Sequence, residues 1–206
     1  MPHKNLFIIR HGETDQNLAN VVQGKGINAS LNATGRKQAL SFFKTYSKEP
    51  IDYIFTSTLR RTQETVSHFI AKGLPWQPMH HLDEIGWGEL EGKPAAESRE
   101  PFYALLAEWK KGHFEAKIPG GEDPLELQQR HQRFIQHYRS LPHKNILICT
   151  HGRAMRILLS TMLQTPLTEM DQYSHRNTCV YKLHDNGKKI TLVTSNCVEH
   201  LGNALV

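Results

Sequence analysis

A chain of 206 residues, 38% hydrophobic and 22% charged, holds enough apolar material for one folded domain with a real core and is too apolar for a disordered polymer. Its formal charge of +5, with 13 further histidines, mildly favours anionic ligands, while the lack of a Lys/Arg block or an aromatic-basic motif argues against nucleic acid. No apolar run approaches the ~20 residues of a membrane helix, and Met1–Asn5 leaves no room for a cleavable leader, so a cytoplasmic protein that does not engage a membrane is expected.

In chain order, residues 5–10 (NLFIIR) read as a buried strand that runs into Arg10, His11, Gly12, Glu13 and Thr14. Leu40 and Phe43 mark a helix near 34–47. A second strand, 51–56 (IDYIFT), passes through Ser57 and Thr58 into Arg60 and Arg61, with a helix from Leu59 to Ile70. Residues 86–124 are less regular, rich in glycine and proline, and read as an excursion from a single domain (1–206) rather than a linker. Within it, Phe102, Leu105, Leu106 and Trp109 fall at i, i+3, i+4 and i+7, an apolar helical face. Leu127, Phe134, Ile135, Tyr138 and Leu141 form a similar stripe. A third strand, 145–150 (NILICT), ends at His151-Gly152, and Met155, Leu158, Leu159 and Met162 start the next helix. Two last strands, 178–184 and 189–194, flank the turn Asp185-Asn186-Gly187. Strands alternating with helices indicate an α/β fold, a three-layer α/β/α sandwich with a mostly parallel sheet.

Two of these strands end alike. Each delivers a histidine followed by glycine, His11-Gly12 and His151-Gly152, to a strand's carboxyl end, where ligands collect in such folds and where glycine lets backbone approach closely. The strand ending at Ser57 brings an arginine to the same rim, Arg60 or Arg61 by spacing alone. Arg, His and Arg converging there would hold a tetrahedral dianion by charge-assisted hydrogen bonds.

Arg10-His11-Gly12-Glu13-Thr14 with Asn17, then QGKGINASLNATGRKQA, then the SxLxR pattern from Ser57, then THG at 150–152, resemble the histidine phosphatase superfamily, the phosphoglycerate-mutase-like family, over about residues 5–184. The resemblance implies the phosphoglycerate-mutase-like fold. It implies a metal-independent phosphatase that hydrolyses small phosphomonoesters, its partner a small phosphorylated metabolite, through a phosphohistidine on His11, without a cofactor. Arg10, Arg61 and His151 would surround the phosphoryl oxygens, Asn17 would add a neutral donor, and the arginines would keep His11 unprotonated. Among Asp83, Glu84, Glu89 and Glu91, which read alone as a solvated acidic turn, the family pattern selects Glu84 as the acid, with a raised pKa expected. Gln23, Gly24 and Gly152 would contact substrate.

Asn28, Thr58 and Thr62 depart from residues common in relatives, at a loop and a helix start. Mutase members carry a Tyr-containing segment after the acid and an arginine pair for the phosphoglycerate carboxylate. Here Ile85–Gly92 follows the acid, and the nearest basic pair, Lys110-Lys111, reads as a solvated helix end. Phosphatase is therefore favoured over mutase, with a non-catalytic phospholigand-binding protein as a third reading. Cys149, Cys179 and Cys197 show no disulfide or zinc spacing, Cys149 lacks the Cys-x5-Arg loop of a thiol phosphatase, and Gly24-Lys25-Gly26 lacks P-loop spacing. His80, His81, His131 and His137 read as scattered surface histidines rather than metal ligands.

Overall fold

The unbroken apolar run of β1 (Lys4–Arg10) follows from its place inside the sheet, where both faces are covered and no polar face remains to alternate with. A computed structural model describes residues 3–202. In it β1 pairs in parallel with β4 (Asn145–Thr150) on one side and antiparallel with β5 (Val180–Asp185) on the other. β2 (Tyr53–Thr56) and β3 (Trp76–Pro78) extend the parallel part, and β6 (Ile190–Cys197) closes the other edge as a hairpin with β5. The sheet order is β3-β2-β4-β1-β5-β6. The hairpin turn uses Gly187 at φ +85°, and Asn186 caps Lys188 and Lys189 with its side chain.

Alternate side chains of β1 enter opposite layers. Leu6 and Ile8 join Phe134 and Tyr138 of α6 (Pro124–Ser140) and Met155 and Leu158 of α7 (Gly152–Leu163). After the short α1 (Asp15–Leu18), α2 (Ala33–Tyr46) supplies Phe42, which packs with Phe7, Ile9 and Phe69. The helix expected from Leu59 to Ile70 is two pieces, α3 (Arg60–Thr65) and α4 (Ser67–Ala71), broken at Val66, where φ is −106° and ψ 10°. The excursion is more regular than its composition suggests. It contains α5 (Ala95–Lys110), sixteen residues that run through Pro101, so the helix begins seven residues before its apolar stripe. Trp87 and Trp109 stack with centroids 5.7 Å apart in a third cluster there. His131 corrects the sequence reading: it is fully buried on α6, because it falls on the helix's inner stripe with Leu127 and Phe134. Among the described residues no helix is long and apolar enough to cross a membrane.

The register places the chemistry. Arg10 lies opposite Thr150 and Thr56 opposite Cys149. The residues that follow, His11 and His151, therefore leave the sheet at one level, with Ser57 one residue lower on the neighbouring strand.

Candidate active site

His11 and His151 face each other with ring centroids 5.1 Å apart, tilted by 57°. His11 Nδ1 lies 2.7 Å from the Gly12 carbonyl oxygen. A carbonyl only accepts, so the proton sits on Nδ1 and Nε2 carries the free lone pair. Burial first, then the Arg61 and Arg10 guanidiniums, hold this imidazole well below its ordinary pKa, so it is neutral.

His151 has the opposite tautomer. Arg61 Nε donates to its Nδ1 at 3.0 Å, so the ring proton is on Nε2, which donates to Ser57 Oγ at 2.8 Å. Ser57 passes its proton toward Thr62 Oγ1, and Thr62 donates to the Leu59 carbonyl, a directed chain from guanidinium to backbone. Burial, then Arg61, keeps His151 neutral as well. Arg61 is 0% exposed and also donates, once from each terminal nitrogen, to the carbonyls of Ile27 and Gly24. Arg60, the other candidate by spacing, is exposed, and its backbone N–H caps onto Asn28.

Glu84 is buried at the start of α7. Its carboxylate accepts from the backbone N–H groups of Ile85 at 2.9 Å, Ala154 at 2.8 Å and Arg153 at 3.1 Å. Arg130, ion-paired with Glu122, donates to the Asp83 carbonyl and fixes the approach to Glu84. Thr58 holds the Asp83 carboxylate through its N–H, a donor that proline would lack. Two departures from the family pattern, Asn28 and Thr58, thus act as local caps, and Thr62 belongs to the His151 chain.

A cavity of about 680 Å³ opens over this cluster, lined by Arg10, His11, Asn17, Gln23, Glu84 and Gly152 among others. Asn17 Oδ1 is held by Thr14 and Asn177, which leaves its NH₂ end for an acceptor. Arg10 Nε is buried without a partner among the described residues. Gly24, by contrast, does not reach the cavity: it is buried beneath Glu91, whose carboxylate takes the N–H groups of Gly26 and Trp87. Arg61 and His151 lie behind His11 rather than on the open wall.

Three cavity residues carry no signal in the sequence. His175 packs on Gly152, where an added Cβ would come within 2.9 Å of its ring, and burial, then Arg10, pushes its pKa down to about 3. Asn177 donates to the His11 carbonyl at 3.0 Å and precedes Thr178, which sits at φ +55° and donates to the Arg10 carbonyl. Arg153 lines the wall beside Glu84. The first two lie in the irregular segment before β5, where no periodicity exists to read. Arg153 stands inside an amphipathic helix and looks like any basic helical residue. Of the excursion's aromatics, Trp87, Phe102 and Tyr103 line the cavity, while Trp109 is buried and donates to the Ala116 carbonyl.

The model of one family, the histidine phosphatase superfamily (branch 1), matches residues 6–198. A protein of Hydrogenobacter thermophilus named "Putative phosphoserine phosphatase 2" is 26% identical over 200 residues, 96% of this chain and 97% of its own. The "Probable phosphoglycerate mutase GpmB" of Yersinia enterocolitica is 34% identical over 167 residues, covering 78% of this chain and 75% of its own. The alpha-ribazole phosphatase of Shigella flexneri superposes with a TM-score of 0.82 at 25% identity, over 94% of this chain and 96% of that one.

Proposed function

This chain belongs to the histidine phosphatase superfamily, branch 1, and on that premise we propose that it is a metal-independent phosphatase of small phosphomonoesters, working through a phosphohistidine on His11. The observation that carries the reading is the neutral His11 ring, its proton fixed on Nδ1 by the Gly12 carbonyl and its Nε2 left as a nucleophile beside the buried Arg61 and the cavity-lining Arg10 guanidiniums.

His11 Nε2 attacks phosphorus and the bond to the ester oxygen breaks. Glu84, protonated at this stage, gives its proton to the leaving oxygen and releases the alcohol. To do so it frees at least one oxygen from the N–H groups that hold it at the start of α7. In the second step Glu84 takes a proton from water, water attacks the phosphohistidine, and phosphate leaves His11 neutral again. Arg10 and Asn17 supply donors to the phosphoryl oxygens as charge spreads over them, and the Arg61 guanidinium, held behind His11 against His151, adds positive charge from beneath.

The names of relatives support both a phosphatase and a mutase. Lys110 and Lys111 favour the phosphatase. They sit at the exposed end of α5, away from the cavity, with Lys111 paired to Glu108, so the pair does not offer a carboxylate seat at the site. The three cysteines, all unpaired, fit a cytoplasmic enzyme. Phosphate release from a panel of small phosphomonoesters, with phosphoglycerate isomerisation followed in parallel, tests this. His11→Ala is expected to release none, and turnover equal to the native enzyme would remove His11 from the mechanism.

A further inference from the structure

The second imidazole of the rim has no proton left for a substrate. His151 accepts from Arg61 at Nδ1 and donates from Nε2 to Ser57, so both of its nitrogens are committed. Each nitrogen of the Arg61 guanidinium already donates to a protein acceptor. Neither side chain lines the cavity. The donor that the resemblance expects from His151 must come from elsewhere.

Orphaned atoms point to the source. Of the buried side-chain nitrogens and oxygens without a partner among the described residues, two belong to residues lining this cavity, Arg10 Nε and His175 Nδ1. A buried polar atom left open is costly unless a ligand completes it. The two side chains are neighbours: burial first, then Arg10, then Arg156 and Arg153 push the His175 pKa down to about 3. After burial and the Arg61 and Arg10 guanidiniums, His175 is also among the groups that hold His11 down. A ring that stays neutral among three guanidiniums keeps one N–H and adds no further charge.

The ring is also held in place. At Gly152 a Cβ would lie 2.9 Å from its Cε1 and 3.0 Å from its Nε2, so the imidazole occupies the space a side chain would fill. Its chain segment is tied to the end of β1, because Asn177 donates to the His11 carbonyl and the Thr178 N–H to the Arg10 carbonyl. Tyr181 anchors the other side through the Ser174 carbonyl. A donor fixed before the substrate arrives needs no reorganisation as charge spreads over the phosphoryl oxygens.

Resting on the phosphohistidine reading, we propose that His175, rather than His151, is the imidazole that binds the phosphoryl group, donating from Nδ1 to a phosphoryl oxygen beside Arg10 Nε. His151 instead orients Arg61 behind the nucleophile.

Two substitutions test this on the full chain. His175→Phe keeps a ring against Gly152 and removes the donor, whereas His175→Gln gives up the ring and keeps an N–H. His175→Phe is expected to lower kcat/KM on a small phosphomonoester about tenfold to a hundredfold, and to weaken competitive inhibition by inorganic phosphate about tenfold, the loss of one hydrogen bond to a charged group. His175→Gln is expected to keep both within about threefold of native, since an amide N–H donates similarly. Native values of both quantities in His175→Phe overturn the proposal, and so do equal losses in the two variants, which would mean that the ring acts by its shape. In either case the phosphatase reading stands as long as the native enzyme is labelled on His11. If His175→Phe does not fold, His175→Leu takes its place with the same expected loss and the same refuting results. A native enzyme that neither releases phosphate nor is inhibited by it overturns both readings.

Discussion

Gly35 holds the His11 loop against α2 without touching any cavity residue. An ideal Cβ at position 35 would lie 2.1 Å from the Glu13 carbonyl oxygen and 2.8 Å from the Glu13 nitrogen. Both are backbone atoms, so no side chain can swing aside. The same carbonyl accepts from Asn32, whose side chain caps α2 at Gly35. Gly35→Ala must therefore separate the two segments by about 1 Å to restore van der Waals distance. Against backbone atoms this close, overpacking falls in the upper part of its usual range, about 2–3 kcal/mol, against a helix-propensity gain of up to about 1 kcal/mol. The expected net loss is ~1–2 kcal/mol, or a Tm lower by roughly 2–8 °C for a chain of this size. Because Glu13 adjoins Gly12, which fixes the His11 tautomer, a shift of that size is expected to lower kcat/KM about a hundredfold. Thermal melting and steady-state kinetics on a small phosphomonoester measure both effects. An unchanged or higher Tm would refute the packing argument, and a lower Tm with unchanged kcat/KM would refute its link to the site.

Glu84→Gln is expected to lower kcat about 10²–10⁴-fold for an alkyl phosphate, whose leaving oxygen needs a proton, and far less for p-nitrophenyl phosphate; equal losses on both would remove Glu84 from acid catalysis. His11, His131 and His151 are fully buried and held neutral well below the ordinary histidine value, in each case mainly by burial. Above pH ~6.5 neither folded nor unfolded chain protonates them, so they leave stability unchanged. Below it the unfolded chain takes up protons that the folded one refuses, and stability falls by up to ~1.4 kcal/mol per pH unit for each, approaching ~4 kcal/mol together. Urea midpoints at pH 7.5, 6.5 and 5.5 measure this, while kcat/KM is expected to show no loss from His11 protonation near pH 6.5. A flat stability profile would contradict the burial of these rings as neutral species. His131, whose two nitrogens have no protein partner among the described residues, makes the attribution specific: His131→Leu is expected to raise stability and make the acid slope shallower. The slope is not expected to vanish, because His81, His175 and His200, pushed down to about 4, 3 and 4 mainly by burial, contribute to it as well.

What the sequence revealed is what periodicity and strand ends can encode. The echo of His11-Gly12 in His151-Gly152 was readable because β1 and β4 are adjacent and in register, so equal positions along each strand become equal heights at the rim. β3 was not readable: three edge residues ending in Pro78 are too short to alternate. The start of α5 was hidden by Pro101, which the helix accommodates in its second turn. Ser57 was visible as part of a pattern and Thr62 as a departure from one, but their work, fixing the His151 tautomer, depends on which atom donates to which and appears only in three dimensions. His175 and Asn177 were invisible because the segment carrying them has no repeat, and its position over His11 is set by β5 pairing antiparallel with β1.

The most direct measurement is covalent. Rapid acid-free quenching of the native enzyme with a ³²P-labelled phosphomonoester, followed by peptide mapping, is expected to find an acid-labile, alkali-stable phosphoryl group on the peptide containing His11 and none in His11→Ala. Label on another residue, or turnover with no phosphoenzyme at any time point in the native protein, would contradict the mechanism at its first step.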